Sequence, residues 1–302
     1  MNQRTEVTGH GNSPSHLQMV KSALGYVKKF TGTRVLIKLG GAALEDQSLV
    51  TQLCEDLSLI RGAGVNVVLV HGGGPAINRE LERRGIQWNF IDGLRVTTPE
   101  MMDTIEMVLC GQVNRRIVRG LNQSAVRAIG LSGTDAQTLF CRPMRKDLGL
   151  VGEITEVRPA AIEAILRTQD EGMGTIPVIA PVGIGENGEA FNINADWAAV
   201  RIAEALDIDK ILFLTDQDGI LGPDGRLVEE LDAGDLESFI ENGVVKGGML
   251  AKANTVLHAL KNGVNDVHIF NARRPHGLLE ELFTDQGVGT VCRLRSVGRK
   301  EF

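Results

Sequence analysis

Two apolar runs near the N-terminus each end on a cluster of glycines. Val35-Leu36-Ile37-Lys38-Leu39 runs into Gly40-Gly41, and Val67-Val68-Leu69-Val70-His71 runs into Gly72-Gly73-Gly74-Pro75. Strands that are apolar on both faces have to be covered on both, as parallel strands are between layers of helices. Glycine at the strand exit lets the backbone turn sharply and approach a ligand with no Cβ in the way. Free N–H groups at the start of the following helix then make an anion site, and Lys38 adds a mobile positive charge beside it. The pair of turns points to phosphate or carboxylate groups. Neither has the GxxxxGK(S/T) or GxGxxG spacing of the familiar nucleotide loops. Taken singly, each also reads as a plain strand-to-helix junction.

At 302 residues the chain can form one large α/β domain or two closely joined lobes. Its hydrophobic content of 43% and charged content of 23% are ordinary for a soluble globular protein. A net charge of -6 argues against a general nucleic-acid binder, which needs a basic face. No apolar run approaches the ~20 residues of a membrane span, and the first residues lack the apolar core of a signal peptide. The expectation is a soluble cytoplasmic protein with no membrane partner. Cys54, Cys110, Cys141 and Cys292 are far apart and form no CxxC pair, so free thiols in a reducing compartment are expected. The six histidines show no metal-ligand spacing, and no protein-built metal site is expected. Only His71 lies beside a candidate site, either as a participant or as a hydrogen-bonding prop for the glycine turn.

Residues 1–12 are polar and read as disordered. Ser13-Pro14 reads as a helix start, with Leu17, Val20, Leu24 and Val27 at helical spacing and Gly32 closing the segment. This helix, residues 13–31, is either packed on the core or an arm reaching another subunit. From Thr33 onward, short apolar runs alternate with helical patterns. Strands are expected at Val35–Lys38, Val65–Val70, Ala125–Leu131, Ile176–Ala180, Lys210–Leu214 and Asp266–Phe270, with an amphipathic helix through Leu49, Leu53, Leu57 and Ile60. Longer helices are expected at Pro99 to about Asn122, Ala195–Leu206 and Met249–Asn262. Leu139–Arg142 with Val151–Val157, and Ile184–Asn192 around Asn187-Gly188, read as hairpins. The fold class is therefore α/β: an open αβα sandwich with a mainly parallel central sheet, plus an N-terminal helical arm. Its domain would run from residue 32 to 302, with an N-lobe to about 175 and a C-lobe from about 176.

Four further segments carry polar chemistry. Gly93-Leu94-Arg95-Val96-Thr97 places an arginine in an extended stretch, suited to gripping a carboxylate. Asn192-Ile193-Asn194-Ala195-Asp196 puts two amides and a carboxylate at alternating positions. Leu214-Thr215-Asp216-Gln217-Asp218-Gly219-Ile220 leaves a buried strand with groups suited to a nucleoside, and Gly247-Gly248-Met249 leads to Lys252. Each has a plainer alternative. Asn194 and Asp196 can be helix caps, Asp218-Gly219 an ordinary turn, and Arg95 and Lys252 surface ion pairs.

In this order, the glycine turns, GLRVT, NINAD and GGM with Lys252 resemble N-acetylglutamate kinases of the amino acid kinase superfamily. The resemblance runs from about Leu17 to about Thr290. The GLRVT and NINAD segments separate this family from carbamate kinase, uridylate kinase and aspartokinase. It implies transfer of the ATP γ-phosphoryl group to the side-chain carboxylate of N-acetyl-L-glutamate, the second step of arginine synthesis. By the same resemblance, Lys38 and Lys252 would stabilise the transition state, and Asp196 would lie between them. Gly73, Gly74, Arg95 and Asn192 would bind the acetylated amino acid, with the N–H groups of the two glycines pointing at it. Gly41, Thr215, Asp216, Asp218, Gly219 and Ile220 would lie along the nucleotide, and Mg²⁺ would be carried by ATP. Other readings are a kinase for carrier-linked aminoadipate or aspartate, or a non-catalytic arginine sensor.

The N-terminal helix resembles the extra helix of arginine-inhibited members, which links dimers into a hexameric ring. His276-Gly277-Leu278-Leu279-Glu280-Glu281-Leu282-Phe283 and Gly287-Val288-Gly289-Thr290 resemble their inhibitor-binding segment. That resemblance implies an L-arginine site formed by Tyr26, Glu281, Gly287 and Gly289, and a homohexamer. The chain departs from the family at Gly25, where proline is common, at Leu39, where tyrosine is frequent, and at Asn271-Ala272-Arg273-Arg274, where Asp-Gly-Arg is usual.

Overall fold

The computed structural model describes residues 16–170, 173–284 and 287–295. The expected disordered segment 1–12 and the Ser13-Pro14 helix start lie outside the described residues. Helix α1 (His16–Phe30) leads into β1 (Arg34–Leu39), α2 (Gln47–Gly62), β2 (Asn66–His71) and α3 (Gly74–Arg83). The Asp46 carboxylate caps α2 by accepting from the N–H groups of Ser48 and Leu49. The helix buries Val50, Cys54, Leu57 and Ile60, with Leu49 and Leu53 half-buried at the margin of that stripe. A small hairpin follows, β3 (Phe90–Ile91) with β4 (Leu94–Arg95), and then α4 (Pro99–Glu106), capped by Thr98. The long helix expected here is not uniform: a π-helical stretch, Met107–Val113, separates α4 from α5 (Asn114–Gln123). Strand β5 (Ala128–Ser132) starts later than expected, because Ala125 takes a turn conformation with φ of 58°.

The two expected hairpins form β6 (Leu139–Pro143) with β7 (Gly152–Val157), and, after α6 (Ala160–Arg167), β8 (Gln169–Asp170), β9 (Met173–Gly174) and β10 (Ile176–Ala180), β11 (Val182–Ile184) with β12 (Ala190–Asn192). Helix α7 (Ala195–Ala205), β13 (Lys210–Thr215), β14 (Glu230–Asp232), α8 (Ala233–Glu241), α9 (Gly247–Lys261), β15 (Asp266–Asn271), α10 (Gly277–Phe283) and β16 (Thr290–Arg293) complete the described chain.

The main sheet has the order β14-β16-β15-β13-β1-β2-β10-β5. Its pairs are parallel except β15 with β16. Side chains alternate across it. Val35, Ile37, Leu39, Val67 and Leu69 pack with α2, α4, α5 and α10 on one face, and Leu36, Val68, Val70, Ile211 and Phe213 pack with α6, α7, α8 and α9 on the other. This is the expected αβα sandwich. Strand β10, expected to open the C-terminal lobe, lies between β2 and β5 among the strands of the first half. The central strands β1, β2 and β13 end together, and their exits build the site.

Candidate active site

Lys38 is the last but one residue of β1, in register with Val70 of β2 and Phe213 of β13. Asp196 stands in the first turn of α7. That turn is capped by Asn194, whose side chain accepts from the N–H groups of Asp196 and Trp197 at 2.9 and 3.2 Å. Asn194 is thus the cap, and Asp196 is free to reach across the strand ends. Its Oδ1 lies 2.8 Å from Lys38 Nζ, and its Oδ2 accepts from Lys252 Nζ at 2.7 Å. Each carboxylate oxygen thus faces one of the two ammonium groups. Lys252 comes from α9 and also lies 5.1 Å from the centre of the Phe213 ring. Lys38, Arg95 and Lys252 are all buried, so the surface ion pairs considered for the last two do not occur.

Burial raises the Asp196 carboxyl, but Lys38 and Lys252 outweigh it and hold the group well below the usual carboxylate range. Burial lowers Lys252, and so does Lys38, while Asp196 opposes both; the net direction is down. Two cations and one anion leave the cluster with a surplus positive charge at the mouth of two glycine turns. That is a site for anions.

A cavity of about 160 Å³ lies on one side, lined by Gly72, Gly73, Gly74, Arg95, Asn192 and Leu109 among others. Arg95 Nη2 donates to Asn78 Oδ1 at 2.5 Å, and its guanidinium lies 4.7 Å from the Phe90 ring centre. Its Nη1 is buried with no partner among the described residues. Burial lowers the Arg95 guanidinium to about 10, which leaves it charged at neutral pH. Arg95 lines this cavity, and a buried cation with an unpaired donor calls for an anionic ligand. Asn192 Nδ2 donates to Thr97 Oγ1 at 3.1 Å, and that hydroxyl donates to the Arg95 carbonyl at 2.8 Å.

A second cavity, of about 140 Å³, is lined by Gly40, Gly41, Ala42, Ala43, Thr215, Asp216, Ala272 and Arg273. The glycine turns that border the two cavities touch each other. A Cβ on Gly41 would lie 3.0 Å from Gly74 N and 3.1 Å from Gly73 N, with backbone and proline atoms that have little freedom to move. Asp218, Gly219 and Ile220 line neither cavity. Asp218 accepts from Asn271 Nδ2 at 2.9 Å, and the Ile220 N–H donates to Thr290 Oγ1 at 2.8 Å. Among the described residues, no group of three or more His, Cys, Asp or Glu is arranged to hold a metal ion.

At the far end of the sheet, Tyr26 stacks on Phe30 with ring centres 6.2 Å apart, and Phe30 meets Phe283 edge-on at 5.9 Å. Glu281 is buried, pairs with His268 Nδ1 and accepts from the Val288 N–H at 2.6 Å. Gly287, with φ of 60°, faces the Glu281 carboxylate, 2.9 Å from where its Cβ would be. The resemblance pointed to Tyr26, Glu281 and Gly287, but not to His268, which needs the β15 register to reach Glu281. It likewise missed Asn78, Leu109 and Asn114, whose contacts with the site cross between elements.

A model of the amino acid kinase family matches residues 33–271. The acetylglutamate kinase of Citrifermentans bemidjiense is 42% identical over 280 residues, covering 89% of this chain and 94% of the relative. That of Campylobacter curvus is 42% identical over 283 residues, covering 93% and 99%. The solved N-acetylglutamate synthase of Neisseria gonorrhoeae, in complex with coenzyme A and N-acetyl-glutamate, aligns with a TM-score of 0.82 at 28% identity over 94% of this chain. This chain spans 64% of that longer protein. With the family matched over most of its length and acetylglutamate kinases similar across nearly all of it, the chain belongs to the amino acid kinase family, beside the acetylglutamate kinases, and is a kinase.

Proposed function

We propose that the enzyme transfers the γ-phosphoryl group of ATP to the side-chain carboxylate of N-acetyl-L-glutamate, giving N-acetyl-L-glutamyl 5-phosphate and ADP in arginine biosynthesis. The observation that carries this is the Lys38–Asp196–Lys252 cluster, beside a cavity that holds a buried arginine with an unpaired donor. The acylated amino acid would occupy the Arg95 cavity, its α-carboxylate on Nη1 and its amide near Asn192. The nucleotide would lie along Gly41, Thr215 and Asp216. Asp218, Gly219 and Ile220 would shape that side only from behind, since they line neither cavity. Mg²⁺ would enter on the nucleotide and neutralise charge on its phosphates.

The chemistry asks little proton transfer of the protein. A side-chain carboxyl ionises near ~4, so the nucleophile is ready at neutral pH without a general base. Its oxygen forms a bond to γ-phosphorus, and the bond to the β–γ bridging oxygen breaks with its electron pair leaving on ADP. Catalysis lies in holding two anions in line and neutralising the charge spread over the moving phosphoryl. Lys38 and Lys252 would supply that charge, with Asp196 fixing both ammonium groups. Gly73 and Gly74 would direct their N–H groups at the reacting oxygens.

The same proposal extends to feedback inhibition by L-arginine in a homohexamer. Its support is that Leu24 and Val27 on α1 are exposed, while Phe30 at the end of that helix packs on Phe283 of α10. Arginine would bind where Tyr26 and α10 meet Glu281, Gly287 and Gly289. The test of the activity is ATP-dependent hydroxamate formation from hydroxylamine with N-acetylglutamate, against glutamate, aspartate and carbamate. Preference for N-acetylglutamate is expected, and equal or better use of another acceptor defeats the assignment.

A further inference from the structure

His71 is fully buried at the end of β2, one residue before the second glycine turn, and lines neither cavity. Both its ring nitrogens are nevertheless engaged. Nδ1 lies 3.0 Å from the Gly72 carbonyl oxygen, and Nε2 lies 3.2 Å from Asn114 Nδ2. A carbonyl can only accept, so Nδ1 carries the proton. The Asn114 amide is oriented by a second bond: its Nδ2 donates to the Val178 carbonyl at 2.9 Å. Facing an amide donor, Nε2 must be a bare acceptor. The donor and acceptor pattern thus admits one neutral tautomer.

This places a constraint on the glycine turn. The Gly72 carbonyl and the Gly73 N–H belong to one planar trans peptide and point in opposite directions. A carbonyl held toward the buried imidazole therefore sends the Gly73 N–H the opposite way, and Gly73 itself lines the Arg95 cavity. Glycine has no side chain to fix that peptide, and Gly72 and Gly73 would otherwise allow it to flip. The helix that carries Asn114 also steadies the turn from above. Its π-helical stretch brings Leu109 so close that a Cβ on Gly73 would lie 2.6 Å from Leu109 Cδ2.

We propose that His71, locked as its Nδ1–H tautomer by Asn114, is a positioning residue that aims the Gly73 N–H at the reacting phosphoryl and acceptor oxygens. The inference rests on the kinase reading for its target and on the hydrogen-bond geometry for its mechanism. Burial lowers the His71 imidazole to about 4, so it stays neutral through the working range, and proton transfer is not its task.

The test pairs a spectrum with two variants. In the intact protein with 15N-labelled histidine, the ring signal lost in His71→Asn identifies His71. It should show protonated Nδ1 and bare Nε2, unchanged from about pH 5.5 to 8. An Nε2–H tautomer, or an imidazolium forming near the ordinary histidine value, overturns the proposal whatever the enzyme phosphorylates. His71→Leu fills the space without a donor. It should lower kcat about 10–100-fold, the scale of a misplaced transition-state contact, with KM for ATP within about twofold. His71→Asn keeps an N–H donor near the Nδ1 position and should recover most of that loss. Full kcat in His71→Leu, or no recovery in His71→Asn, overturns the role. Absence of acetylglutamate kinase activity in the unmodified protein, with the tautomer as expected, instead removes the N-acetylglutamate reading and the proposed target with it.

Discussion

At the scale of single residues, the site is a balance of charge held in a small volume. One carboxylate keeps two buried ammonium groups within 2.8 Å, so neither lysine can be removed without leaving the others mismatched. Lys38→Ala and Lys252→Ala are each expected to lower kcat on the order of 10²–10³-fold, the usual scale for one lost transition-state contact. KM for N-acetylglutamate should change far less, and near-normal turnover in steady-state assays would remove that lysine from the mechanism. Arg95→Lys should act the other way. It raises KM for N-acetylglutamate more than KM for ATP, because an ammonium cannot both reach Asn78 and present a planar donor to the cavity. The pH profile follows from the lowered Lys252. Its charged form is lost as pH rises, so kcat/KM should fall on the alkaline side through a pKa below the ordinary lysine value of 10.5. Lys252→Arg stays protonated and should lose the lysine's part of that limb, leaving only the loss set by Arg95 at about 10, even if its activity is lower. These charged residues were legible in the sequence because their spacing after strands and helix starts is local. Asn78 and Asn114 were not, since each is defined by a partner on another element.

Elements were legible where burial imposes a pattern. Strands β1, β2, β10, β13 and β15 are apolar on both faces because helices cover both, and their positions follow directly. The edge pair β14 and β16 was not readable: each is only 3 or 4 residues long and contributes few buried side chains. Nor does a local signal mark the π-helical stretch: Val108, Cys110, Gly111 and Val113 weaken a helix there without specifying its form, and the contact of Leu109 with Gly73 lies between elements. The Gly287-Val288-Gly289 segment, which the resemblance marks as part of an inhibitor site, has an independent steric reason for its glycines. A Cβ on Gly289 would run into the Ile269 carbonyl and stand 2.6 Å from Phe270 Cβ. Gly289→Ala should therefore push β16 from β15, where Ile269 faces Thr290, and destabilise the fold by roughly 1–3 kcal/mol, typical of overpacking. Chemical denaturation measures this directly, and an unchanged midpoint would show that the strand pair yields without strain.

For the whole molecule, the question is what α1 does. Phe30 at its end is 6% exposed and packed against Phe283, so this turn belongs to the core. Further back, Leu24 and Val27 are 63% and 36% exposed, although their spacing is that of a buried face. A helix anchored at one end with apolar side chains turned outward is suited to pack on a second copy, which would supply the missing apolar contact. Deleting the helix through Phe30 would test this poorly, because it also removes a core side chain. Leu24→Asp with Val27→Asp changes only exposed positions and leaves Tyr26 and Phe30 in place. The unaltered protein should run as a hexamer by light scattering, and this variant as a smaller assembly with its phosphorylation of N-acetylglutamate retained. Its response to L-arginine should weaken, because an inhibitor acts only through a difference in affinity between two states, and the proposed arginine site lies where α1 meets α10. A variant that stays hexameric, or becomes smaller yet remains as sensitive to arginine as before, would separate α1 from regulation and leave the phosphoryl site untouched.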